Sequence, residues 1–324
     1  MACEVAAAAA ENSIIGVDRF SILPDEIAHK IMSRFSFKDL TRLGCVSKRC
    51  KKLQLSAPYI SLIVTSHENL GNMLDSFNDF MIQRDDNKIQ TFVYLSQFYN
   101  CDVESPRLSA WIDSAVRCNV EQLSVGLFPP PDVLFSFPNV LFLRGSLKSL
   151  CLNISCVIGG EVSFSPSLSN LESLHLSSVS VIDESFWRWI SCSCKRLQNL
   201  RLVNIYGSKN IIIKSPSLKK VEVLLHEGDC CNLSICANRL EDISIYWGCT
   251  SSNNSVNIFA PKVKFFSWGG IFPSHLKLGE MSFLNEGCIS SNGEVTELAI
   301  VVDVLCSMRC VKTLQLTDDY VLKV

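Results

Sequence analysis

The 324-residue sequence has no apolar run long enough to cross a membrane and no positively charged leader. Its best candidate span, LAIVVDVLC, is much shorter than the roughly 18 apolar residues that a transmembrane helix requires, and Asp303 interrupts it. No lysine or arginine precedes Arg19, so residues 1–16 lack the features of a secretory signal and are predicted to form a flexible tail. These absences predict an intracellular protein, located in the cytoplasm and/or the nucleus.

The motifs of common enzyme sites are also missing. There is no G-x-x-x-x-G-K-[ST] phosphate loop and no G-x-S-x-G nucleophile turn, and the His-Glu pairs at His67 and His226 lack the second histidine of a zinc motif. A catalytic cysteine would need a histidine beside it in the fold, and among sixteen cysteines a structural role is the simpler interpretation. We therefore predict that the protein is not an enzyme and carries no cofactor.

The cysteines and the five histidines do not follow the spacing of a metal site. The closest cysteine pairs, Cys192 with Cys194 and Cys230 with Cys231, are not the C-x-x-C pairs of zinc ligands. Disulfides are not expected without an export signal, and free cysteines usually pack as small apolar side chains. The sequence therefore predicts reduced thiols and no bound metal.

Five segments share the frame L-x-x-L-x-L, with other aliphatic residues replacing some of the leucines. They begin at residues 147, 171, 197, 218 and 240, so the steps between them are 24, 26, 21 and 22 residues. Leucine-rich repeats have periods of about 20 to 29 residues, and each repeat supplies one short strand and a return segment. Looser copies of the frame extend the series at residues 89, 120, 263 and 311.

The return segments between these strands differ from one another. Apolar residues recur at helical spacing in SPRLSAWIDSAVRCN (105–119) and VTELAIVVDVLCSMRC (295–310), which predicts a helix in each. The segments SKNIIIKSPS (208–217) and GCTSSNNSVNIFAPK (248–262) are rich in turn-forming residues, which favours turns and additional strands. The expected fold is an irregular α/β solenoid with a parallel sheet on its concave face.

The stretch at residues 23–53 has a different, helical pattern. Pro24 suits a first helical turn, and Ile27, Ile31 and Phe35 recur every fourth residue. So short a unit has a very small core, and its remaining apolar stripe should be covered by a partner or by the repeats. A second helix with Leu40, Leu43 and Val46 and a third helix capped by Ser47 complete the predicted unit.

Charge also separates this unit from the rest of the chain. Residues 17–60 contain nine Lys plus Arg and four Asp plus Glu, so they carry +5 in a chain of net charge −2. A basic unit favours an acidic partner, and a solvated helix face is the alternative interpretation. Nucleic-acid binding would also need aromatic residues beside the charge, and none lie within SKRCKK. We expect neither nucleic acid nor a membrane as a partner.

These motifs carry two resemblances. Residues 70–324 resemble the leucine-rich repeats of plant F-box proteins, and residues 18–53, with DRFSILPDEI, SRFSFKDLTRLGCVSKRC and Leu53, resemble the F-box itself. The resemblance implies the substrate-recognition adaptor of a cullin-based (SCF-type) ubiquitin ligase. The F-box would bind the ligase adaptor subunit, and through it a cullin, while the repeats bind a protein target. It implies contact and core positions at Leu23, Pro24, Ile27, Ile31, Leu40, Leu43 and Val46.

The predicted organisation has four parts. They are a tail (1–16), a small three-helix F-box (17–60), a linker with the first helix of the solenoid (61–88), and the leucine-rich repeats (89–324). The alternative function is a leucine-rich-repeat interaction scaffold without a ligase role. In that interpretation the N-terminal helices only cap the solenoid.

The residues between the repeat leucines are predicted to form the target-binding face. Side chains alternate along a strand, so inward leucines leave the residues between them on the outer face of the sheet. Arginine and aromatic side chains often dominate interface energies, which favours Arg201 and Tyr246; a solvated sheet face is the alternative. The sequence leaves a small-molecule co-ligand open. The candidate residues are His175, Arg201, Lys220, Glu222, Asp242 and Tyr246.

Overall fold

The computed structural model describes residues 19–66, 69–84, 86–97, 101–127, 135–136, 145–158, 168–226, 230–250, 253–291 and 298–317. The tail predicted at residues 1–16 lies outside these ranges. The helices in the described residues are α1 (Asp25–Met32), α2 (Phe37–Gly44), α3 (Lys48–Ser56), α4 (Leu70–Gln83), α5 (Cys101–Arg117), α6 (Ser185–Ser193) and α7 (Leu298–Ser307).

The strands follow the repeat pattern of the sequence. They are β1 (Tyr59–Val64), β2 (Thr91–Ser96), β3 (Gln122–Leu127), β4 (Phe135–Ser136), β5 (Ser149–Ile158), β6 (Ser173–Val181), β7 (Asn199–Val203), β8 (Asn210–Lys214), β9 (Lys220–Leu225), β10 (Asn232–Cys236), β11 (Asp242–Trp247), β12 (Ser255–Phe259), β13 (Phe265–Gly270), β14 (His275–Leu278), β15 (Glu286–Ser291) and β16 (Thr313–Leu316).

One parallel sheet, here called the main sheet, runs from the N-terminal helices to the last described strand. Its order is β1-β2-β3-β5-β6-β7-β9-β11-β13-β15-β16, and the short β4 pairs with β5. The strands pair in phase with the sequence frame, so Leu150, Leu174, Leu200, Val221 and Ile243 lie side by side. This arrangement confirms the predicted fold class, three short helices followed by a parallel-sheet solenoid.

The frame leucines form the core of the solenoid. Leu171, Leu174, Leu176, Leu197 and Leu202 are each at most 2% exposed, which confirms that they point inward. Full burial of one such side chain contributes about 1.5 to 3 kcal/mol relative to exposure. Because each turn repeats this burial against the next, the turns stabilise one another along the stack.

The return segments contain both helices and strands. The predicted return helices are α5 and α7, and the predicted additional strands are β8 and β12. With β10 and β14 these strands form a second parallel sheet in the order β14-β12-β10-β8. The helix α6 was not predicted from the sequence; its buried Trp187 donates from Nε1 to Ser208 Oγ at 2.7 Å.

The three N-terminal helices pack directly on the first turn of the solenoid. The ring of Phe37 lies 4.9 Å from that of Phe77 and 5.4 Å from that of Phe80, between centroids. The Ser47 side chain accepts the backbone N–H of Cys50 and caps α3, as predicted. Only residues 57–58 separate α3 from β1, so the three-helix unit covers the N-terminal end of the main sheet.

A buried arginine joins the two parts. Arg84 is 1% exposed, and its Nη1 donates to the carbonyl of Ala57, just after α3, at 2.7 Å. Its Nη2 donates to the carbonyls of Asn87 and Lys88 at 3.2 Å each. Burial lowers the pKa of Arg84 to about 10, so the guanidinium remains charged at neutral pH. These bonds connect the end of the three-helix unit to the turn before β2.

Candidate protein-interaction surfaces

The three-helix unit exposes large apolar side chains. On α1, Ala28 and Met32 face the core, whereas Ile27 is 47% and Ile31 is 40% exposed. Val46, between α2 and α3, is 70% exposed. In the sequence, Ala28 and Met32 together with Ile27 and Ile31 form one broad apolar stripe on α1. Only Ala28 and Met32 are buried in the core. Exposed apolar side chains in so small a unit make it a candidate site for a partner.

The predicted contact positions fall into three groups. Pro24, Ile27, Ile31 and Val46 are exposed and accessible to a partner. Leu40 is buried and is therefore a core position. The remaining two, Leu23 and Leu43, are partly buried and pack against the hydrophobic core.

Polar contacts hold α1 against α3. Arg49 forms an ion pair with Asp25, and its Nη2 also donates to the carbonyl of Leu23 at 3.1 Å. The hydrogen bond from Arg49 is the main reason that the pKa of Asp25 is lowered. His29 Nε2 lies 3.1 Å from Ser56 Oγ, which adds a second link between the two helices. The exposed isoleucines of α1 are therefore presented on a fixed frame.

Exposed cations accompany these apolar residues. The side chains that face solvent on or beside the helices are Lys30, Arg34, Lys38, Arg42, Lys48 and Lys52. Arg42 pairs with Asp39 at 3.4 Å, but both groups are well exposed, so the pair contributes little to stability. The unit thus combines apolar anchors with positive charge, which suits a partner with an acidic surface.

The outward face of the main sheet is the second surface. Parallel pairing aligns residues of neighbouring strands in rows that run across the sheet. The row through the middle of the strands is here called the central row. Side chains of this row lie on the face opposite the core leucines. From β3 to β13 the central row consists of Ser124, Cys151, His175, Arg201, Glu222, Ser244 and Ser267.

Two ion pairs lie at the middle of this face. Arg201 Nη1 is 2.8 Å from Glu222 Oε2, and Lys220 Nζ is 2.7 Å from Asp242 Oδ2. The hydrogen bond to Asp242 is the main cause of the raised pKa of Lys220. The four groups balance in charge, so this part of the face does not attract a strongly acidic or strongly basic segment.

A thiol and an imidazole lie beside the ion pairs. Cys151 Sγ is 3.3 Å from His175 Nδ1. Burial raises the pKa of the Cys151 thiol and, together with the nearby Arg201 charge, lowers the pKa of His175. Both shifts favour the neutral forms, so the contact is a weak hydrogen bond between uncharged groups.

Tyr246 lies flat on the sheet beside these groups. A Cβ atom at Gly269 would come within 2.9 Å of the Tyr246 ring, so the absence of a side chain at Gly269 lets the ring pack over the neighbouring strand. The ring of His226 lies next to it at a tilt of 39°, with ring centroids 4.5 Å apart. The six predicted target contacts are therefore brought together on β6, β7, β9 and β11, and their role in binding stays a prediction.

Charged residues just before the strands were missed by the sequence analysis. Lys88 and Lys148 both bind Glu121, at 2.8 and 2.9 Å, and Lys264 binds Glu241 at 2.6 Å. The two lysines are the main reason that the pKa of Glu121 is lowered. The signal in the sequence is a residue of opposite charge directly before some consecutive repeat strands, as with Glu121 and Lys148 or Glu241 and Lys264. These pairs join neighbouring turns and belong to the stacking of the solenoid.

The described residues offer little for other site chemistries. None of their His, Cys, Asp and Glu side chains form groups of three or more that could hold a metal ion. Every cysteine whose side chain is described is a free thiol. In the same ranges no helix has the length and apolar character needed to cross a membrane.

Comparison with known proteins assigns the same two parts. Residues 20–59 match the F-box domain model, and residues 108–317 match the model of the leucine-rich repeats of the FBD-associated F-box protein At5g56370. F-box protein At5g03100 of Arabidopsis thaliana is 30% identical over 213 residues, 64% of this chain and 64% of the relative. The putative FBD-associated F-box protein At5g53635 of the same species is 29% identical over 65% of this chain and 49% of its own length. The chain thus spans about half to two thirds of these relatives.

Proposed function

This chain belongs to the F-box proteins with leucine-rich repeats, its repeats being of the type found in FBD-associated F-box proteins, and from that premise we propose that it is the substrate-recognition adaptor of an SCF-type ubiquitin ligase. Its F-box binds the ligase adaptor subunit and through it a cullin, and its repeats hold a protein target for ubiquitination. The observation that carries this proposal is the exposure of Ile27 and Ile31 on a helix of the F-box. This function requires an intracellular location, in the cytoplasm or the nucleus.

The proposed mechanism is proximity, and the chemistry belongs to the partners. The adaptor binds at one end of the molecule and the target on the outward face of the main sheet. Holding both at once raises the effective concentration of target lysines near a charged ubiquitin-conjugating enzyme. The chain itself needs only two binding surfaces and a fixed distance between them.

Affinity for the purified ligase adaptor subunit tests the first surface. Replacing Ile27 and Ile31 together with glutamate removes two half-exposed apolar contacts and adds charge of the wrong sign for an acidic partner. We expect the affinity to fall by about 100-fold or more, because each buried aliphatic side chain contributes about 1.5 to 3 kcal/mol. Because Ile27 and Ile31 are exposed, the double variant keeps its core packing. A change at Leu23, which packs against the core, would disturb that packing.

The matched control is Ile212→Glu, on β8, because Ile212 is 46% exposed, close to the exposure of Ile27. It should bind the adaptor like the unchanged protein. A folded Ile27/Ile31 double variant that keeps full affinity would contradict the proposal. If the unchanged protein itself does not bind, the alternative scaffold function is favoured. Phe37, packed on Phe77 and Phe80, supports that alternative, since such packing suits a cap of the solenoid.

The second surface is tested by target capture. Arg201→Ala combined with Tyr246→Ala removes a cation and an aromatic ring from the outward face. A target is defined here as a protein that the intact chain captures and that accumulates when the chain is depleted. We expect the variant to capture several-fold less of such a target. Adaptor binding should persist in the same variant. Lys214→Ala with Phe259→Ala, on the second sheet, is the control, and equal capture by both variants would move the target site elsewhere.

A further inference from the structure

The outward face of the main sheet is more apolar at its N-terminal corner, on strands β1 and β2, than elsewhere. Here β1 and β2 together present Tyr59, Ile63, Val93 and Leu95. Beyond β3 the apolar side chains Val203, Leu224, Tyr246 and Phe265 are spread over four strands, among hydroxyl, amide and charged groups. Ile63 is 55% exposed and pairs across the strands with Leu95. A Cβ atom at Gly126 would lie 2.6 Å from Leu95 Cδ2, so the glycine lets Leu95 rest on the neighbouring strand. The corner therefore carries an apolar strip, here defined as Tyr59, Ile63, Val93 and Leu95, beside a face of mixed polarity.

A recess of about 160 Å³ opens at this corner. One wall is the turn between α1 and α2, with Ser33 and Phe35, and the other wall is the sheet, with Tyr59, Thr91 and Val93. Phe37, Leu40 and Ile60 contribute further apolar surface, and Ser61 a hydroxyl. None of the lining residues is charged. The recess thus lies between the F-box and the first repeat, where both contribute atoms.

We propose that this corner recess binds one uncharged aromatic ring, and that the ring is a phenylalanine or tyrosine side chain of the protein target. The size fits, because an apolar cavity of about 150 Å³ accommodates a benzene ring. The uncharged lining disfavours an ionised ligand, which would lose its hydration without gaining a partner. Hydroxyl groups at Ser33, Ser61 and Thr91 suit a phenolic O–H or a nearby peptide group.

The apolar strip favours a protein segment as the source of the ring. Tyr59, Ile63, Val93 and Leu95 continue the apolar surface along the strands beyond the space that one ring fills. An isolated small molecule would leave that strip exposed, whereas a chain anchored by its aromatic residue covers it. Anchors of this kind, buried in a pocket and surrounded by weaker contacts, are typical of binding hot spots. This assignment rests on the proposed function, since it names what the target inserts.

Methyl NMR on the intact chain tests the recess without any partner. Titration with phenol should give saturable shifts at the methyl groups of Leu40, Ile60 and Val93, while benzoate should bind about tenfold more weakly because its charge would be buried. Val93→Phe fills the recess and should remove the phenol response. Ser267→Phe, a similar change in the central row on β13, should preserve it. If Val93→Phe does not fold, Ser61→Leu serves as the blocking variant.

The absence of saturable shifts at the three lining residues, or an unchanged response in the blocking variant, would overturn the recess as a ring site. Selection of random dodecapeptides on the intact chain then distinguishes the two sources of the ring. We expect the selected peptides to share one Phe or Tyr and to lose binding to Val93→Phe but not to Ser267→Phe. Peptides that lack an aromatic residue, or that ignore Val93→Phe, would overturn the assignment to a target side chain.

These measurements do not involve the ligase adaptor subunit. A chain that fails to bind the adaptor but passes both tests would lose the proposed ligase function and keep its ring site. A chain that binds the adaptor but shows no phenol response would keep the ligase function and lose the ring site. The two proposals can therefore fail separately.

Discussion

Arg84 shows how a single side chain can couple two structural units. Its guanidinium is buried, and its described acceptors are the carbonyls of Ala57, Asn87 and Lys88. Its Nε has no hydrogen-bond partner, and the ring of Phe80 lies 5.6 Å below its charge. Burying the charge costs free energy, and the bonds to three carbonyls and the contact with the ring offset part of that cost.

We expect Arg84→Met to lower the free energy of unfolding by about 3 kcal/mol. Methionine fills much of the same space, but the buried carbonyl of Ala57 would lose its donor, and the partly buried hydrogen bonds to the carbonyls of Asn87 and Lys88 would also be lost. Urea denaturation followed by circular dichroism measures the change. Arg117→Met, at an exposed arginine, should change the stability by less than about 0.5 kcal/mol. A similar loss in both variants would show that the buried hydrogen bonds have no special role.

At the scale of elements, regular patterns were predictable from the sequence and short or ambiguous ones were not. The strands follow the L-x-x-L-x-L frame because each repeat must bury the same three positions, and α5 is long enough to show a helical period. By contrast, α6 was not predicted, and tertiary contacts such as the hydrogen bond from Trp187 to Ser208 help to fix it.

Of the candidate sites, the sequence could predict the outward sheet face but not the exposed side of α1 or the corner recess. Alternation along the strands was enough to identify which residues of each repeat face outward. The sequence could not show which side of α1 is exposed, since Ile27, Ala28, Ile31 and Met32 form one continuous stripe. It also could not show the corner recess, because its two walls come from the turn before α2 and from strands β1 and β2, which meet only in the folded molecule.

The contact between neighbouring turns leads to a prediction for Leu174 on β6. Leu174→Ala should cost about 2 to 5 kcal/mol, because the side chain is 2% exposed and the packed turns on both sides limit collapse into the cavity. Amide hydrogen exchange should accelerate in β5, β6 and β7 before it does in β13 and β15. Ser177→Ala, on the outward face of the same strand, is the control. Uniform acceleration along the whole sheet would contradict nearest-neighbour stacking.

At the scale of the whole molecule, one continuous hydrophobic core joins the F-box to the repeats. The cluster of buried residues runs from Ala28 in α1 to Met308 after α7. Phe37 connects the two parts by contacting Phe77 and Phe80, which themselves pack in the first turn of the solenoid. The F-box therefore serves as the end cap of the solenoid on its inner side while its outer side remains exposed.

Phe37→Ala should loosen both parts together. Loss of a buried phenylalanine costs about 3 to 5 kcal/mol, and the cavity would lie at the joint. We expect faster amide exchange in α2 and in β1 and β2 alike, and weaker adaptor binding as a secondary effect. Phe283→Ala, at an exposed phenylalanine in the turn before β15, is the control. Faster exchange confined to α2 would show that the F-box and the solenoid open independently.

The parallel order of the main sheet sets a length requirement for any target that uses both the corner recess and the Arg201–Glu222 pair. Between β2 and β7 the sheet makes four steps from strand to strand, which at about 4.8 Å each separates the two points by about 19 Å. An extended peptide spans that distance with about six residues, and an α-helix with about thirteen. A target segment shorter than this can reach one of the two points but not both.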